Sequence, residues 1–196
     1  MSTAGYIFNE GKAAEAALYL LSLNDGKLAY MKLIKLLYIA DRISLSKYHA
    51  SITTSSYYSM KLGPVTSEIL DRIKHPSDYA RDSYWNRAIR TEGYNVIQQK
   101  EFVPWFLSEN EMETLEAVDR KYKNGDQYAL SEITHSFAEW RNPGDSSIPI
   151  TIDDILSATI EDEKERARAM EDIGLSAHLQ NINYISMEGM DEAKGR

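Results

Sequence analysis

The sequence predicts a mainly α domain with a small antiparallel β-sheet (α+β), and three observations lead to that class. Residues 30–48 carry apolar side chains at helical spacing almost all round, the mark of a helix buried by several neighbours. Residues 53–61 switch to period two, Tyr58/Met60/Leu62 against Tyr57/Ser59/Lys61, which is the pattern of a short strand. Ser108-x-x-Glu111 is a capping box, and Thr151-x-x-Asp154 is a similar start signal, so further helices follow the strand region.

Taken in order, Asn9 can cap a first helix running to Leu23, with Ala13, Ala16, Ala17, Leu20 and Leu21 as a narrow apolar stripe, and Asn24-Asp25-Gly26 stops it. In the central helix, residues 30–48, Leu33, Leu36, Leu37, Ala40 and Ser44 share one face. Lys32, Lys35 and Arg42 form its basic stripe, and Asp41 falls between Ile34 and Leu37. A carboxylate buried there requires hydrogen-bond donors or a cation, because unpaired burial costs several kcal/mol. The expected role of Asp41 is to accept N–H bonds from the extended segment and tie the helix to the Gly63-Pro64 elbow. Pro64 is expected at the start of a helix over residues 65–74, which His75-Pro76-Ser77-Asp78 ends. A hairpin is expected with Ile89 and Thr91 on one arm, Tyr94 and Val96 on the other, turning at Glu92-Gly93.

Beyond it, the Ser108 box opens a helix through Tyr122, closed by Asn124-Gly125-Asp126. The next helix places Leu130, Ile133, Phe137 and Trp140 on successive turns, and Asn142-Pro143-Gly144-Asp145 is a loop. Residues 161–172 read as a solvated helix, and the chain from Gly174 onward as a polar tail, frayed or ordered on a partner. This divides the chain into a domain over residues 1–150 and a charged helical extension with its tail over 151–196.

Bulk properties narrow the classes. At 196 residues without cysteine, the chain can bury a real core and cannot form a disulfide scaffold or a thiolate metal site. It shows no secretory leader and no run long enough to span a membrane, so a soluble cytoplasmic protein is expected. Residues 1–108 hold 13 Lys and Arg against 10 Asp and Glu, whereas residues 109–196 hold 9 against 20. The acidic second half would repel duplex nucleic acid and favour a basic protein partner.

His49, His75, His135 and His178 match no metal-ligand spacing, and neither a phosphate-binding loop nor a nucleophile elbow is present. No catalytic residue, metal or cofactor is assigned. If exposed, Tyr57 and Tyr58 with Lys61 are the candidate partner-binding residues, since amphipathic rings anchor interfaces.

The stretch from Lys32 to Leu70 resembles the Panacea (SocA-like) antitoxin domain family. Lys35 in a leucine-rich helix and Leu37, Tyr38, Ala40 and Asp41 match the family's helix; Tyr48, Ile52 and Thr53 match its middle. Tyr57 or Tyr58, Met60, Gly63, Pro64 and Val65 match its end. His49, Ser51 and Thr54-Ser55 depart from the pattern, and His135 with Trp140 is similar to a pair found late in the domain. The resemblance implies a mainly helical domain with a small sheet, and a non-enzymatic antitoxin, phage-associated or bacterial, that neutralises a cognate protein toxin by direct binding. An alternative is a proteolytic adaptor delivering the toxin to a cytoplasmic protease. A second alternative is an enzyme using Asp41 and His135 as an acid–base pair.

Overall fold

The computed structural model describes residues 5–194, with side chains through Ile185; the first four and last two residues, including the end of the expected tail, lie outside the described residues. Helix α1 (Glu10–Ser22) starts where Asn9 accepts the Lys12 N–H. Its alanines are fully buried, which lets neighbouring backbone approach closely. Strand β1 (Lys27–Ala29) leads into α2 (Tyr30–Tyr48), the central element. Leu33, Leu36 and Ala40 of α2 join the main core with α1, while Tyr38 and Leu45 belong to a second cluster with Ile155, Leu156, Ala169 and Ile173. One helix thus serves two cores, which explains its apolar character on nearly every side.

Among the described residues the strands form two three-stranded antiparallel sheets, where the sequence led us to expect one. The first has the order β1-β5-β4, with β4 (Ile89–Glu92) and β5 (Asn95–Gln98) as its hairpin. Its turn is Gly93-Tyr94, one residue later than expected, because Glu92 pairs with Asn95 and Gly93 takes the positive φ of 59°. The second sheet has the order β3-β2-β6, with β2 (Tyr57–Met60), β3 (Gly63–Thr66) and β6 (Ile148–Ile150).

Strand β3 corrects the reading of Gly63-Pro64 as a helix start. Met60 pairs with Gly63 across Lys61-Leu62, so the segment folds back on β2, and α3 begins only at Ser67 (Ser67–Lys74). Val65 and Thr66 are β-branched, and Pro64 is tolerated because β3 is an edge strand that need not offer every N–H.

A 3-10 turn (Pro76–Asp78) and the short α4 (Tyr84–Ala88) precede the first hairpin. Helix α5 (Glu109–Tyr122) opens with the Ser108–Glu111 capping box, and Asp126 caps α6 (Gln127–His135). Helix α6 ends at His135, so Phe137 and Trp140 are not on it, contrary to the spacing argument; they sit in the turns that follow. Ending there lets Glu139 point inward to Tyr38 and Arg42.

After β6, α7 (Ile152–Thr159) carries the Thr151–Asp154 capping box. Helix α8 (Glu163–Lys194) is one continuous helix through the stretch expected as a polar tail. Its buried Ala169, Ile173 and Ala177 repeat every four residues and seat its first half on the domain.

Candidate functional site

The side chains singled out in the sequence converge on α2 and the β2–β3 hairpin. Asp41 is 0 % exposed and organises the loop before β2. It accepts the backbone N–H of Ile52 at 2.7 Å and of Thr53 at 3.0 Å, the Ser51 hydroxyl at 3.2 Å and a short bond from the Thr53 hydroxyl. Ser51 in turn accepts the Thr54 N–H at 2.8 Å and lies 3.1 Å from the Tyr57 hydroxyl, and Thr54 holds a φ of 53°. Burial raises the Asp41 pKa, against the lowering effect of the Thr53 and Ile52 hydrogen bonds. Asp41 therefore fixes residues 51–54 rather than the Gly63-Pro64 elbow.

The elbow is held by Lys35. Its fully buried Nζ donates to the Pro64 carbonyl oxygen at 2.8 Å, so Lys35 is not on a solvated basic stripe with Lys32 and Arg42. Desolvation lowers its pKa to about 7. Gly63 has a φ of 98°, and a Cβ there would lie 2.6 Å from Thr134 Oγ1 and 2.7 Å from Lys35 Nζ.

Two further side chains complete the set: Ser131 donates to the Leu62 carbonyl at 2.7 Å and Trp140 Nε1 to that of Met60 at 3.1 Å. The carbonyls of residues 60, 62 and 64 thus each meet one donor, from three different segments. His135 stacks on Trp140 with ring centroids 4.1 Å apart, and its Nε2 is buried without a hydrogen-bond partner among the described residues.

Tyr38 donates to Glu139 at 2.9 Å, and Arg42 pairs with the same carboxylate at 2.7 Å while lying over the Phe137 ring. Burial, and then Glu139, push the Tyr38 pKa up. No hydrogen bond or ion pair among the described residues joins Asp41 to His135, whose partners lie in different segments. No group of three His, Asp or Glu residues is placed to hold a metal ion among the described residues.

Tyr57 is buried, edge-on to Tyr38 at 5.7 Å, which corrects the expectation of an exposed contact ring. Tyr58 is half-buried, and Lys61 is exposed and paired with Asp145 at 3.1 Å. Both tyrosines line a cleft of about 610 Å³ that also meets Tyr6, Pro149, Ile152 and Met170.

Sequence reasoning missed three charged groups. Glu15 is buried against the loop at residues 105–107, Lys12 pairs with Glu111 at 2.6 Å, and Glu139 holds Tyr38. Glu15 carried a usable signal: like Asp41, it is a lone carboxylate among alanines and leucines.

The described residues form a helical domain with two small sheets, in which buried polar side chains of one helix fasten a loop and a hairpin. The family model described as "Antitoxin SocA-like, Panacea domain" matches residues 33–141, more than half of the chain, and the chain belongs to that family. No curated protein and no solved structure matches it. Segment 142–196, outside the match, still supplies β6, α7 and the Ile150, Ile155, Leu156, Ile160, Ala169 and Ile173 side chains that pack with Tyr38, Leu45 and Tyr57 in the second core cluster. No helix among the described residues is long and apolar enough to cross a membrane.

Proposed function

We propose that this chain is the antitoxin of a toxin–antitoxin pair and neutralises a cognate protein toxin by direct binding, without catalysing a reaction. Family membership supports an antitoxin-like role. The observation that carries the binding reading is where the family-matching polar groups spend their bonding capacity. Asp41 holds residues 51–53, Lys35 holds Pro64, and Trp140 holds Met60, all inside the fold. Groups used in this way build a scaffold, so partner choice falls to the exposed surface.

The test is expression of the adjacent reading frame with and without this chain, followed by purification of the pair. Growth arrest relieved together with a stable complex is the expected result. Relief without a complex, with the toxin's half-life shortened only in a protease-competent host, would replace direct neutralisation by delivery to a protease. No arrest or no relief would overturn the antitoxin reading.

A further inference from the structure

We propose that Val103-Pro104-Trp105 is a preformed contact for the toxin, with Trp105 entering an apolar pocket whose rim is basic; this rests on the antitoxin reading above. The three residues are consecutive, apolar and exposed, Trp105 at 76 % and Val103 at 67 %. Leaving an indole in water forgoes the stabilisation that burying a large aromatic surface brings.

What separates this tryptophan from other exposed apolar side chains is how its backbone is held. Phe102, before it, packs on Tyr19 with ring centroids 4.8 Å apart. Phe106, after it, is edge-on to Tyr84 at 5.6 Å and fills the space over Gly11, where a Cβ would lie 2.6 Å from its ring.

Between these anchors the Glu15 carboxylate, on a residue 1 % exposed, accepts three successive amides. Trp105 N–H lies 3.1 Å from both oxygens, Phe106 N–H 2.8 Å and Leu107 N–H 3.2 Å from Oε2. Pro104 adds a fixed φ. A buried carboxylate is tolerated only with such donors, so the fold devotes a buried charge to fixing the backbone beneath an exposed indole. Order present before association reduces its entropic cost, and Trp is among the residues enriched at binding hot spots.

Charge selects the partner's chemistry. Glu101 precedes the knob, and Glu109 opens α5 four residues after Trp105. Both are exposed and in no ion pair among the described residues. Of the cations near this loop, Lys100 lies over the Tyr84 ring at 4.2 Å, and Arg87 acts on the same tyrosine. An acidic surround and an indole face both favour Lys or Arg opposite, and both disfavour a polyanion.

The test titrates the purified protein of the adjacent reading frame, by calorimetry, into the wild-type chain and Trp105→Ala. The expected result is a loss of affinity of tenfold or more with the unfolding midpoint unchanged, since the side chain is mostly in water, and a smaller loss for Trp105→Phe. In the wild type, acrylamide quenching of the exposed indole should fall on complex formation. A loss under tenfold, or unchanged quenching, overturns this contact and leaves the antitoxin reading intact. No binding by the wild-type chain overturns both.

Discussion

Lys35 Nζ lies 2.8 Å from the Pro64 carbonyl oxygen, so an amine buried in α2 fastens the strand that follows the β2–β3 turn. Burial lowers its pKa to about 7 from an ordinary value of 10.5. Between those values the unfolded chain holds a proton that the folded chain has released. Stability contributed by this site therefore rises with pH across that window, by up to about 1.4 kcal/mol per pH unit, and the full penalty applies below it. Urea unfolding of wild type and Lys35→Met across the window should show their difference shifting towards the wild type as pH rises. A pH-independent difference would show that Lys35 titrates normally in the folded chain.

Gly63 allows a second prediction, with an internal control. Its φ of 98° and the contacts a Cβ would make with Thr134 and Lys35 act together. Gly63→Ala should cost about 3 kcal/mol, from left-handed strain plus overpacking. Gly93→Ala shares the positive φ but would meet nothing within 4 Å, so it should cost only about 1 kcal/mol. Equal shifts of the urea midpoint would show that crowding by Thr134 and Lys35 contributes nothing.

These fasteners also show what the sequence exposes and what it conceals. Helix starts were legible because a cap is local: Asn9, Ser108 and Thr151 each bond a backbone N–H three residues on. Strands β1 and β6 were not, because three residues carry little period and their partners lie far along the chain.

Gly63-Pro64 misled because the turn signal was real while its continuation depended on pairing with β2. Phe137 and Trp140 kept helical spacing, yet their positions follow from Trp140 reaching Met60 and Glu139 reaching Tyr38. Asp41 was recognisable as a buried carboxylate, but its donors were assigned too far along the chain. Tyr57 looked like a surface ring because period two says which residues share a face, not which face is covered.

Glu15 supplies a third prediction, independent of any partner. Three amides of one loop converge on its carboxylate, so Glu15→Ala leaves them without their acceptor and leaves Phe106 and Leu107 to hold the segment by packing alone. Lost hydrogen bonds to a charged group contribute about 1.5–3 kcal/mol each. Hydrogen exchange should speed up at residues 105–107 well beyond any change at α2. Uniform acceleration across the chain would instead make Glu15 a general stability residue with no particular hold on that loop.

Asp41→Asn separates scaffold from contact most directly. Two backbone amides and two hydroxyls surround the carboxylate. An asparagine oxygen can still accept the Ile52 and Thr53 amides, and its NH2 group then faces the Thr53 hydroxyl, which must turn from donor to acceptor. Removing the charge relieves its desolvation, but every remaining bond changes from a charge-assisted to a neutral one, and a net loss of about 2 kcal/mol is expected. The urea midpoint should fall, while toxin affinity of the still-folded protein stays within a few-fold of wild type. The reverse outcome, an unchanged midpoint with binding lost, would make Asp41 part of the contact surface and would require the loop at residues 51–54 to open when the toxin binds.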